Sequence, residues 1–249
     1  MDLHDRYLQQ ASWTRDLRSY LFDRLDWHSA HRLLEVGCGT GAILRDLQTP
    51  TPDRSPGVPA LFGVDRAATA LNDCRLHARR AQLVRADALA LPFPDRSFDI
   101  TCCHFLLLWV NEPIAALREM KRVTVGHVLA LAEPDYSRRR DAPSELVELG
   151  RLQTEALRRQ GADVSIGARL ATLFERAGLR IRETGAIKPW NSQPAPASRM
   201  RAEWDMLESD LGDIVSSEEL NRYRQLDEAA RRQGVRQLQV PTYFAWGQV

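Results

Sequence analysis

The chain has 249 residues, of which 44% are hydrophobic and 27% charged, with a formal net charge of +1. That is ordinary for a globular protein with one sizeable core, and it argues against wholesale disorder or a global attraction to nucleic acid. No apolar run approaches the roughly 20 residues that span a bilayer, and the charged N-terminus does not read as a secretory signal; a cytoplasmic protein without membrane contact is expected.

Four cysteines, Cys38, Cys74, Cys102 and Cys103, lack metal-type spacing. Reduced thiols and no bound metal are expected, with Cys102 and Cys103 on opposite faces of a strand.

Tyr7, Trp13, Leu17, Tyr20, Leu21 and Leu25 recur at helical spacing and predict one amphipathic helix over residues 5–25. This extension, residues 1–30 with a connector at 27–30, reads either as plain core packing or as a lid over a ligand with Trp13 in contact. Arg32 to Val36 is the first strand, and Gly37, Cys38, Gly39, Thr40 and Gly41 form a glycine turn into a helix from Ala42. Glycines there permit positive φ and let a ligand approach the main chain. Glu35, an acid directly before the turn, would repel a phosphate but suits a ligand with cationic groups and hydroxyls.

Four prolines break the chain at residues 49–59, which read as a surface loop. The next strand, Ala60 to Val64, delivers Asp65 and Arg66. An acid at the carboxyl end of the second strand of a parallel sheet can accept from both hydroxyls of a ribose; the alternative is a helix cap for residues 67–78. Gln82 to Arg85 is a third strand leading to Asp87, whose carboxylate can accept from an exocyclic amine while the Ala88 amide donates to a ring nitrogen. Phe98 to Cys103 is a buried fourth strand ending at His104. A helix over residues 113–124 and a fifth strand over 127–132 follow, closing with Asp135 and Tyr136.

Strands alternating with helices predict a doubly wound α/β domain, mostly parallel, with its ligands at the strands' carboxyl ends. Beyond Tyr136, Arg138, Arg139 and Arg140 read as a solvated turn. Helices are expected over 144–160, with Ser144 as its cap, and over 166–177, then a strand over 179–187 and a loop over 189–196. Two charged helices follow, over 197–211 and 216–233. The aromatic run 240–249 is expected to return to the sheet as an antiparallel strand, leaving 189–238 as a helical insertion over the pocket. Trp190, Trp204, Tyr223 and Tyr243 either line that pocket or form the insertion's own core.

The run from Glu35 to Gly41, Asp65, Asp87 with Ala88, Leu91-Pro92-Phe93 and Phe98-Asp99, taken in this order, resembles the class I S-adenosylmethionine-dependent methyltransferases, in the style of the small-molecule type 11 subgroup. The resemblance implies one Rossmann-like domain over residues 1–249, built on a seven-stranded sheet whose last strand is antiparallel. It implies S-adenosylmethionine as cofactor, leaving as S-adenosylhomocysteine. Glu35 would neighbour the methionine amino group, and Gly37, Cys38, Gly39 and Gly41 would pack on the methionine and ribose portion. Asp65 would hold the ribose, Arg66 would flank adenine, and Asp87 with Ala88 would read its edge. His104 would stand near the transferring methyl.

Relatives often carry a histidine pair about four residues further on, where this chain has Leu108 and Trp109, so no base transfers to those positions. His104 is then the candidate general base, or else a helix-start histidine that only touches the cofactor. Asp135 and Tyr136 are candidates to orient a small-molecule acceptor, with capping of the next helix as their alternative. Two other readings stay open. Gly37-x-Gly39-x-x-Ala42 also satisfies a loose dinucleotide fingerprint, as in an NAD-dependent oxidoreductase. Intact cofactor residues without the histidine pair also fit a non-catalytic S-adenosylmethionine-binding regulator.

Overall fold

A computed structural model describes residues 3–25, 29–48, 59–187 and 197–249. The readings at 27–28, 49–58 and 189–196, including Trp190, lie outside the described residues.

The core is a seven-stranded sheet. It comprises β1 (Arg32–Val36), β2 (Ala60–Asp65), β3 (Gln82–Arg85), β4 (Phe98–Cys103), β5 (Thr124–Pro134), β7 (Arg180–Ile187) and β9 (Thr242–Gln248). Their order is β3-β2-β1-β4-β5-β9-β7. The first five strands are parallel neighbours, and β9 runs antiparallel between β5 and β7. The chain reverses its direction of build between β1 and β4, which makes their carboxyl ends the switch point where such sheets bind ligands.

Strand alternation sends side chains to two cores. Val36, Cys103, Val128 and Ala130 pack on one face beneath α5 (Pro113–Val123) and α7 (Leu170–Arg176). Leu33, Cys102, Leu129 and Leu131 pack on the other with α3 (Ala42–Gln48) and α4 (Ala68–His77). Cys102 and Cys103 thus point to opposite faces, and all four cysteines are free and buried. A third cluster joins α6 (Val147–Arg159), α8 (Ala197–Leu211) and α9 (Ser217–Arg232), and a small antiparallel pair of β6 (Arg140–Ala142) and β8 (Gln237–Gln239) lies beside it.

Several expectations need correction. The expected single helix at the N-terminus is two, α1 (Leu3–Trp13) and α2 (Arg15–Arg24). They break at Thr14, whose backbone N–H donates to the Ala11 carbonyl at 3.3 Å and whose hydroxyl oxygen lies 3.2 Å from the same carbonyl. Ser144 does not cap α6: it begins a 3-10 turn and its hydroxyl donates to Glu145. Arg139 is not in a solvated turn; it is buried and donates to Asp141 (2.6 Å) and Gln153. Of the two readings left open for Trp204 and Tyr223, core packing is the observed one, in the third cluster, while Tyr243 packs on the sheet. The pair β6 and β8 was not foreseen, because three-residue strands carry too little alternation to stand out.

Two carboxylates align the strand ends. Asp99 Oδ2 accepts from the backbone N–H groups of His31 and Arg32, both at 2.8 Å, so the start of β4 fixes the entry to β1. At the other end of the sheet, Glu133 on β5 is fully buried. Its carboxylate accepts from the N–H groups of Leu106 (3.0 Å), Leu107 (2.9 Å) and Leu108 (3.2 Å) and so shapes the exit of β4. Sequence reading missed this role, although an acid ending a buried strand is itself a signal that backbone donors meet it. The exit is strained: Phe105 has φ +52°, a region aromatic residues rarely enter.

Asp99→Ala should lower unfolding stability by about 1 to 2 kcal/mol, the order expected for lost charge-assisted hydrogen bonds, measured by urea denaturation. Glu133→Gln sets an N–H group against backbone donors and should cost about 1 to 3 kcal/mol. Burial pushes the Glu133 carboxyl up to about 7, against the pull of its three backbone donors. Its unfolded counterpart releases a proton near 4.5. The stability difference between the wild type and the Gln variant should therefore decline as pH rises from about 4.5 to 7 and then level off, because only the folded carboxyl still holds its proton in that window. A pH-independent difference would contradict this account.

Candidate active site

The carboxyl ends of β1, β2, β3 and β4 open into one cavity of about 890 Å³, walled on its other sides by α1, α6 and α8. It brings together Glu35, Gly37, Cys38, Gly39, Asp65, Arg66, Asp87, Ala88, His104 and Tyr136. Gly41, Trp13 and Asp135 are not among its lining residues.

The glycine turn is built by close approach. Gly37, Gly39 and Gly41 have φ of +72°, +50° and +82°. A Cβ on Gly37 would come within 2.7 Å of Leu106, one on Gly39 within 2.9 Å of the Tyr7 ring, and one on Gly41 within 2.6 Å of Cys74 Sγ. Gly41 thus closes the turn onto α4 and does not face the ligand space. Asp65 ties the turn to β2: Oδ2 accepts from Gly39 N and Oδ1 from Ala67 N, each at 2.8 Å. The capping role and a place in the cavity coexist, since each carboxylate oxygen keeps a second lone pair. Asp87 accepts from Leu89 N at 2.9 Å and remains exposed beside Ala88.

Glu35 is 2% exposed, and its Oε2 has no hydrogen-bond partner among the described residues. Burial raises its carboxyl well above the usual range, as do Cys74 and Asp65, while the Arg18 guanidinium and a backbone hydrogen bond from Leu44 pull it back. Leaving one carboxylate oxygen unmet in a dry site is costly unless a donor arrives from the cavity.

His104 leaves β4 into the same space. Its Nε2 lies 3.1 Å from Thr14 Oγ1, and its ring stands edge-on to Phe105 at 4.8 Å. Burial first and then the charge of Arg18 push the imidazole down to about 3, so it is neutral at ordinary pH and a weak proton acceptor. Trp13 stands one layer behind, edge-on to Phe105 at 6.4 Å; α1 reaches the cavity through Arg6, Tyr7 and Gln10 instead. Asp135 is fully buried and caps the turn after β5, accepting from Ser137 N at 3.1 Å. Its capping alternative is therefore the observed one. Tyr136 does line the cavity, and burial raises its phenol.

Sequence reading missed Arg6, Gln10 and Asp210. Arg6 Nε is buried and without a partner among the described residues. Asp210, on α8, accepts from Gln153 Nε2 at 2.9 Å. Gln153 in turn accepts from Arg139, which links the cavity wall to the buried ions of the third cluster.

Residues 34–128 match the family model described as a methyltransferase domain. The malonyl-[acyl-carrier protein] O-methyltransferase of Halorhodospira halophila is 35% identical over 125 residues, 48% of this chain and 41% of that protein. The demethylmenaquinone methyltransferase of Roseiflexus castenholzii is 40% identical over 107 residues, 42% of this chain and 43% of that protein. The chain thus spans less than half the length of these curated relatives. Among solved structures, a putative methyltransferase from an antibiotic biosynthesis pathway of Anabaena variabilis aligns over 94% of this chain and 97% of its own, with a TM-score of 0.68 and 14% identity, a likeness of fold. The match to a methyltransferase domain thus falls on residues 34–128, the stretch that carries the glycine turn and the acids at the strand ends, and the chain is similar to methyltransferases over that stretch.

Proposed function

We propose that this protein transfers a methyl group from S-adenosylmethionine to a small-molecule acceptor held in the same cavity. The observation that carries the reading is Glu35: a buried carboxyl group with one oxygen unmet, at the tip of β1, beside a turn whose glycines hold positive φ in close contact with their neighbours. A cationic ammonium supplies the missing donor, whereas a pyrophosphate would meet a like charge there. That contrast favours S-adenosylmethionine over a dinucleotide.

The residues present fit the group. Glu35 would hold the methionine ammonium, the turn from Gly37 to Gly39 would receive its chain, Asp65 the ribose hydroxyls, and Asp87 with Ala88 the adenine edge. When bound, the cofactor supplies an electrophilic methyl on a sulfonium. The protein's contribution is alignment and exclusion of water, which in favourable intramolecular cases is worth about 7 to 11 kcal/mol. His104, Tyr136, Arg6 and Asp210 surround the remaining space and are placed to orient the acceptor. The cavity volume fits a small molecule alongside the cofactor. No helix among the described residues is long and apolar enough to cross a membrane, and no cluster of three metal-binding side chains occurs among them.

S-adenosylhomocysteine should raise the melting temperature and bind stoichiometrically by calorimetry, whereas NAD should do neither; the opposite pattern would sink the proposal. Glu35→Gln should weaken that binding roughly 10- to 100-fold, about 1.5 to 3 kcal/mol. Wild-type affinity should fall as pH is lowered through the raised carboxyl range of Glu35, because the protonated acid no longer attracts the ammonium. The Gln variant should lack that acid limb. Labelled cofactor incubated with a small-molecule extract should yield a labelled product of low molecular mass.

A further inference from the structure

A chain of hydrogen bonds runs from the N-terminal helices to His104, which lines the cavity. Arg18 on α2 is wholly buried. Its guanidinium donates to Asp46 on α3, to the Ala11 carbonyl at 2.7 Å and to Thr14 Oγ1 at 2.5 Å. Thr14 is itself 1% exposed, and its Oγ1 lies 3.1 Å from His104 Nε2.

The direction of each hydrogen bond follows from counting. Arginine only donates, so Thr14 Oγ1 accepts from it. The single hydroxyl proton of Thr14 then has two possible destinations, Ala11 O at 3.2 Å or His104 Nε2 at 3.1 Å. A carbonyl oxygen has two lone pairs, and Ala11 O already receives the Thr14 N–H at 3.3 Å and the Arg18 guanidinium. The hydroxyl proton is thus left for His104 Nε2, and a hydroxyl that accepts from a cation is the stronger donor for it. Burial and the positive charge of Arg18 together disfavour a second proton on the ring.

We propose that Arg18 and Thr14 are positioning residues that lock His104 as its Nδ1–H tautomer, so that the histidine offers the methyl acceptor a neutral hydrogen-bond donor and not a base. The acceptor it suits carries a lone pair beside the reacting atom, as a carboxylate, phenolate or enolate oxygen does. His104 Nδ1 has no protein partner among the described residues, and the ring lines the cavity, so this donor is available to a ligand. The substrate class rests on the cavity being the methyl-transfer site. The tautomer does not, because it is a property of the ligand-free protein.

The test is a long-range proton–nitrogen correlation spectrum of the whole protein labelled at its six histidines, with His104 assigned by the signal missing in His104→Phe. The expected result is an unprotonated Nε2 and a protonated Nδ1, unchanged from pH 5 to pH 8. Thr14→Ser should keep that pattern and Thr14→Val should lose it, giving mixed tautomers with S-adenosylhomocysteine binding still measurable. A wild-type Nε2–H, or a His104 titration with a midpoint between 6 and 7, would overturn the proposal. The wild-type spectrum decides even where Thr14→Val does not fold. Unaltered tautomers in Thr14→Val would overturn the role of Thr14. Failure of the wild type to bind S-adenosylhomocysteine would count against the methyl-transfer reading instead, leaving the tautomer assignment as measured.

Discussion

A carboxylate that reaches a dry interior must be met by donors or give up its charge, and Glu35 at the tip of β1 is met on one side only. The rest of the site is arranged around that imbalance. On the protein side stands Arg18, itself buried and balanced by Asp46, whose charge pulls the Glu35 carboxyl part of the way back from the high range that burial sets, without a direct ion pair. On the cavity side the backbone folds away through three positive-φ glycines, which clears the space a cationic ligand group needs. Asp65 adds a second negative group but spends one lone pair on each oxygen to anchor the turn. On the proposed reading the cavity would select its ligand through charge and tightness together, where a phosphate-binding loop would rely on backbone donors alone.

The parallel half of the sheet was legible in the sequence because each of its strands is a short apolar run punctuated by a chemically distinctive residue at its carboxyl end. Burial on both faces gives β1, β2 and β4 nearly continuous hydrophobic runs, and the acids Glu35, Asp65 and Asp87 mark where those runs meet the crevice. Such a code is local, so spacing along the chain recovers it. The terminal strand was legible for a related reason: its aromatic run must be buried, and the open side of β5 is where it docks.

What escaped the sequence is what depends on distant residues meeting. Arg6 and Asp210 lie more than two hundred positions apart and enter the same cavity only because α1 and α8 pack over the strand ends. Neither sits in a pattern that separates it from the many charged residues on helix surfaces. Trp13 misled for the opposite reason. A large aromatic on an amphipathic helix is conspicuous, yet the break at Thr14 turns it onto Phe105, behind the cavity wall. Arg139 resembled a solvated turn because flanking arginines are indeed exposed, while it alone finds Asp141 and Gln153.

Thr14 gathers these strands of argument in one residue. As a helix break it explains why a single expected helix is two, and as a hydroxyl between a cation and an imidazole it carries polarity from the protein interior to the place where chemistry is proposed. The same arginine whose charge favours an ionised Glu35 disfavours a protonated His104. One buried guanidinium thus biases two groups of the cavity away from their protonated forms, against burial at Glu35 and together with burial at His104. Arg18 contacts α1, Thr14 and α3 and does not line the cavity, so the N-terminal helices reach the site through electrostatics as well as through the α1 residues in the cavity wall.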